Sequence, residues 1–134
     1  MSDLTITATD VAVVKVWQQL TGPAAEAFSA GEAIRIDTTA GTLTPGNATA
    51  AAEARILGIA VTTADAATNS VTVVKKGILD VGEALSALNY DAAIYLSNTD
   101  GTLGTAAATV SLVVGKVVPG WGATTADKLL LVDL

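Results

Sequence analysis

The second half of this chain echoes the first. Ala33-Ile34-Arg35-Ile36 followed by Ala40-Gly41-Thr42-Leu43 returns 60 positions on as Ala93-Ile94-Tyr95-Leu96 followed by Asp100-Gly101-Thr102-Leu103. Gly58-Ile59-Ala60-Val61 returns as Gly115-Lys116-Val117-Val118, and Val71-Thr72-Val73 as Leu129-Leu130-Leu131. The words keep their order, at offsets of 57 to 60. Each is short and built from β-branched and other apolar residues, which reads as strand. The expectation is two similar β-rich halves closing one body. A small duplicated β-fold of this kind offers surfaces for binding and bracing.

Composition narrows the fold. The chain has 134 residues, enough for one domain that buries about two-thirds of its unfolded surface. Its apolar fraction of 51% overstates the core, because 26 of those residues are Ala. Val, Leu and Ile remain as core formers, with five aromatics and 19 Thr suited to pleated, half-buried positions. The reading is all-β: a small β-barrel or β-sandwich-like body of nine or ten strands, with two pseudo-repeated halves and one or two short helices. Expected strands include Leu4 to Ala8, Val11 to Trp17, Glu32 to Asp37, Ile56 to Thr62, Val71 to Leu79, Leu112 to Val118 and Lys128 to Val132. Ala48 to Ala54 is expected as a short helix or an Ala-rich loop, and Glu83 to Leu88 as a short helix. Asn98-Thr99-Asp100-Gly101 is a hairpin signal, since Asp-Gly accepts positive φ. Residues 1–30 are expected as an N-terminal arm plus the first strands, and residues 31–134 as a single compact β domain.

Charge and residue types exclude several functions. Seven Lys and Arg against 13 Asp and Glu give a net charge of −6, unsuited to a phosphate backbone or an anionic membrane surface. The chain has no His and no Cys, which removes His-activated nucleophiles and the usual zinc ligands. No Ser stands three residues before a Lys. Paired carboxylates could hydrolyse a glycoside, but Asp10, Asp65, Asp80, Asp91, Asp100 and Asp127 sit at turns. The reading is a chain that is not an enzyme and carries no cofactor or metal. Its N-terminus lacks the basic and apolar regions of a signal peptide, so synthesis in a cytoplasm is expected.

Several segments carry a wider pattern. Asn89-Tyr90-Asp91-Ala92-Ala93 leads into Tyr95-Leu96-Ser97-Asn98-Thr99-Asp100-Gly101-Thr102-Leu103, then Val113-Val114-Gly115-Lys116-Val117-Val118. Upstream stand Ile56-Leu57-Gly58-Ile59-Ala60-Val61, Asp65-Ala66-Ala67 and Val71-Thr72-Val73 to Gly77. From about Gly31 to Leu134 this resembles the small capsid decoration, or cement, proteins of tailed bacteriophages. The chain has Tyr90 where that pattern usually has Gly. The resemblance implies a β-rich virion protein on the outer surface of an icosahedral head. It would bind the major capsid protein, bridge its subunits and self-associate, with a trimer favoured.

Candidate capsid or subunit contacts are Leu4, Ile6, Val11, Val13 and Trp17 in the N-terminal segment, Lys75 and Lys76 interrupting a β run, and Trp121. Alternating apolar residues can add a strand to a neighbour's sheet, and Trp is frequent at interface hot spots. Two other readings stand beside this one. One is another virion-surface module, such as a head-fibre base or tail component. The other is a carbohydrate-binding module or small carbohydrate-active enzyme, which would need an aromatic platform.

Overall fold

The computed structural model describes residues 3–120 and 128–134. Nine strands make up nearly all of its regular structure: β1 Val11–Pro23, β2 Ala33–Ile36, β3 Leu43–Pro45, β4 Ile56–Ala60, β5 Ser70–Val81, β6 Ala93–Leu96, β7 Leu103–Gly104, β8 Val113–Pro119 and β9 Lys128–Asp133. They form one antiparallel sheet in the order β3-β2-β4-β5-β9-β8-β6-β7, curled into a half-barrel, with β1 added on β5. The all-β expectation is met.

Strand β5 is the spine. Along one edge it pairs with β1 over its whole length, from Val11↔Val81 to Pro23↔Ser70. On the other edge it holds β4 at Val73 and Val74, then β9 from Lys76 to Leu79. The changeover falls on Lys75, which the β1 register skips between Gln18↔Lys76 and Gln19↔Val74. This extra residue is a bulge, and it has a consequence for packing. In an unbroken strand all odd-numbered side chains share a face. Here Val71 and Val73 enter a side core with Ala24, Phe28, Ile34, Leu43, Ala60 and Ala64, whereas Leu79 and Val81 enter the main core with Val74. The bulge thus lets one strand line two cores. The main core draws on both halves, including Ile59, Leu79, Ile94, Leu96, Leu103, Val114, Leu130 and Val132.

The duplication is structural. Ile36↔Leu43 in the β2–β3 hairpin matches Leu96↔Leu103 in β6–β7. A register shift at Ile34/Arg35 between β2 and β4 matches one at Ile94/Tyr95 between β6 and β8. Ile59↔Val74 and Ala60↔Val73 match Lys116↔Leu131 and Val117↔Leu130, each 57 positions on. The last echo is therefore one residue out in the sequence reading: Val73 corresponds to Leu130, and Thr72 to Leu129. Hydrogen-bond register sets the equivalence, and the apolar run Leu129-Leu130-Leu131 masks it.

Two expectations are corrected, and the choice over Ala48 to Ala54 falls to the loop. Ala48 to Ala54 and Glu83 to Leu88 are turns, and the described helical structure is a single 3-10 turn at Ala8–Asp10. An Ala-rich stretch of seven residues is too short to nucleate a helix alone, and the backbone of its first residue is claimed elsewhere. Ala48 N–H donates to Ser97 O (2.8 Å), and Val110 N–H donates to Ala48 O (2.7 Å). Leu4 to Ala8 is not a strand either: only Asp3 makes a bridge, to Gly104. Residues 3–30 lie against the body. Leu4 N–H donates to Leu103 O (2.8 Å), closing the outer edge of β7, while Ala25 N–H donates to Leu43 O (2.7 Å), closing that of β3. Asp3 accepts from Ser97 Oγ (2.5 Å) and Thr99 Oγ1 (2.9 Å), which pins the chain start to the β6–β7 turn. The Asp100-Gly101 hairpin forms as expected, with Gly101 at φ 68°.

Candidate partner-binding surfaces

The apolar sequence-derived contact residues separate into three groups. Leu4 and Ile6 turn inward as half-buried packing against the main core, and Val11 is half-buried opposite Val81. Val13 (46% exposed) and Trp17 (55%) face solvent on β1. Trp121 lies outside the described residues. Two residues not singled out from the sequence, Val14 and Leu20, are also exposed on β1. Among the described residues, four of the seven exposed large apolar side chains thus belong to one strand. The signal was the apolar run Val11 to Trp17 itself, but periodicity does not say which side of a strand has no neighbour.

Five of the seven cations are engaged with neighbours. Lys76 Nζ sits 2.7 Å from Asp133 Oδ1, and its hydrogen bond and charge hold that carboxyl below its usual range. Lys116 Nζ is 2.9 Å from Asp91. Lys128 is buried, donating to the carbonyls of Ser86 and Leu88, with Nζ over the Tyr90 ring. It fastens the Glu83 to Leu88 turn onto β9. Lys15 Nζ lies over Trp17, 5.3 Å from the ring centroid. Arg35 stands near Asp37, whose carboxyl is held low first by the Ala40 and Thr39 amides and further by the Arg35 charge.

Arg55 and Lys75 remain. Among the described residues neither has an ion-pair partner, and both line the same open cleft of about 330 Å³. Its other walls are Ile36, Thr38, Ala52, Ile56 and Leu57, with no carboxylate among them. The β5 bulge brings Lys75 here, and the approach to β4 brings Arg55. An apolar floor with two unpaired cations, on a chain with nearly twice as many acids as bases, complements an acidic partner segment. Lys75 was legible as an interruption of a β run. Arg55 is a lone cation after an Ala-rich stretch, and nothing local marks it.

A larger cleft, about 540 Å³, is lined by Thr5, Thr7, Asp10, Asp80, Gly82 and Glu83 among others. Asp80 there accepts the Gly82 N–H (2.9 Å), as turn carboxylates do. Among the described residues, no group of three or more His, Cys, Asp or Glu is arranged to hold a metal.

Glu32, beside the N-terminal segment, has a pH consequence. Burial pushes its carboxyl above the usual 4.5, Glu26 and Asp100 push the same way, and the Ser29 N–H (2.5 Å) opposes them. The folded chain therefore binds this proton more tightly than the unfolded chain does. Its contribution is fully present below 4.5 and is lost as pH rises through the raised value. Glu32→Gln, which stays neutral, should gain stability relative to wild type between about pH 4 and about pH 7. Urea midpoints at the two pH values measure the gain, and an unchanged difference would contradict the assignment.

No protein-family model matches this chain, and no curated protein matches it.

Proposed function

We propose that this protein is a structural component of a phage virion that binds the outer surface of the assembled capsid and stabilises it by bridging major capsid protein subunits. The observation that carries the reading is the cleft where Arg55 and Lys75, unpaired on an acidic body, frame an apolar floor. Such a site fits an acidic segment on a protein neighbour. The resemblance supports the identity of that neighbour, because the segments that bear it are the strands β4 to β8 and their hairpin. A protein that binds only the assembled lattice stabilises that state by mass action, and repeated sites on one lattice turn modest contacts into firm attachment.

Co-sedimentation with expanded, undecorated phage heads tests the reading. Binding should saturate at a stoichiometry tied to capsid subunits and weaken with added salt. The double variant Arg55→Glu/Lys75→Glu should bind about 100-fold more weakly. Lys116→Gln, which alters a cation already paired with Asp91, should bind like wild type. A folded protein that ignores mature heads removes the capsid reading and leaves tail, fibre or glycan partners. Binding that survives the double variant removes the cleft.

A further inference from the structure

The outer edge of β1 is the long sheet edge that no described residue covers. The other sheet ends are closed from within the chain: β7 by Asp3 and Leu4, and β3 by Ala24 and Ala25. Strand β5 is occupied on both sides, by β1 on one and by β4 and β9 on the other. Strand β1 itself runs for 13 residues with a partner on one side only. At about 3.4 Å per residue it presents a row of backbone donors and acceptors roughly 40 Å long. Natural edges of this length are usually blunted by charge or proline. Here the strand carries one charge, Lys15, its proline is the last residue, Pro23, and its ladder with β5 skips Val14 and Trp17, so the edge bulges at those two residues.

We infer that β1 pairs antiparallel with β1 of a second copy of this chain about a two-fold axis. Three observations select a second copy. Among the described residues another copy has no different long edge to offer, since its remaining sheet ends are capped, so edge pairing between copies joins β1 to β1. The strand is also complementary to itself. Centred on Trp17, the pairing sets Val14 opposite Leu20, Val13 opposite Thr21 and Lys15 opposite Gln19. Val14 then meets Leu20, and Trp17 its own copy, across the seam, and no like charges face each other. Finally, on a body of net charge −6 this strand carries no carboxylate, so two acidic copies can approach here without direct repulsion. The result is a continuous four-stranded ribbon, β5-β1-β1-β5. The seam uses a different surface from the Arg55–Lys75 cleft, and it implies a dimer where the resemblance implies a trimer.

Sedimentation equilibrium of the full chain, without phage heads, is the test. The wild-type protein should associate to twice its 13.3 kDa mass. The variant Trp17→Lys/Leu20→Lys should raise the dimer dissociation constant at least about 30-fold. Arg55→Glu/Lys75→Glu should leave it unchanged, which separates failure of the seam from failure of the capsid reading. Both altered β1 side chains are exposed, and circular dichroism verifies the fold of each variant. As a second readout, amide protection from Ala12 to Gly22 in the wild-type chain should rise with protein concentration. A monomer at millimolar concentration, a trimer, a dimer indifferent to the β1 substitutions, or concentration-independent protection of β1 would each overturn the inference.

Discussion

Replacing Gly115 with alanine should destabilise the protein by about 3 kcal/mol and lower its thermal midpoint by about 10 °C. A Cβ at Gly115 would lie 1.8 Å from Leu131 O and 2.9 Å from its carbonyl carbon. That carbonyl cannot yield easily, because Leu131 is held between Lys116 on β8 and Ile78 on β5. Gly58 repeats the arrangement, with its Cβ position 2.2 Å from Val74 O. Val74 is likewise held on both sides, by Ile59 and Gln19. Gly58→Ala should therefore cost a similar amount. Gly41 is the internal control: its φ is +71° but nothing lies within 4 Å, so Gly41→Ala should cost only about 1 kcal/mol. Thermal melts followed by circular dichroism compare the three. Equal losses at Gly115 and Gly41 would mean that β8 and β9 do not approach as closely as described.

Leu79→Ala should remove about 3 to 4 kcal/mol, the cost of a large deletion in a core that cannot collapse around it. Leu79 is 0% exposed, and it pairs with Val13 on one side and Leu130 on the other. It sits where the first half's spine strand meets the second half's last strand, so it belongs to both. The loss should therefore be global. In urea, NMR amide signals from β2 to β4 and from β6 to β8 should disappear together at a lower midpoint in the variant. Separate midpoints for the two groups would show that the halves are independently stable, contrary to their shared core.

The contrast between these substitutions locates what could be read in advance. Strand words and hairpin turns are local properties. Alternation such as Ile34 and Ile36 against Arg35 and Asp37, or an Asp-Gly pair at Asp100 and Gly101, specifies β structure without knowledge of any partner. Helix propensity over Ala48 to Ala54 was equally local, and it was overridden at the segment's start, where Ser97 and Val110 take both backbone groups of Ala48, leaving only a turn closed by the Glu53 and Ala54 N–H groups on Ala50 O. Of the candidate contacts, Trp17 and Lys75 were visible as a large aromatic and an interruption in a strand. Arg55 was not, because its meaning depends on the absence of a carboxylate across a cleft formed by chain segments 20 residues apart.

The sequence by itself determined the β-rich class, the duplication and the acidic balance that disfavours nucleic-acid partners, since these follow from residue type and order. Only the tertiary structure decided register, edges and charge pairing. The exact 57-residue equivalence appeared through the ladders β4–β5 and β8–β9. The Lys75 bulge assigned the two ends of β5 to different cores. Leu4 and Ile6 were turned inward while Val13 and Trp17 were left outside, although all four sit in apolar-rich runs of the same N-terminal segment. The physical reason is common to all of these: a strand's backbone bonds and one of its faces are satisfied by residues remote in sequence. Which neighbour arrives, and which edge is left without one, is a property of the assembled sheet.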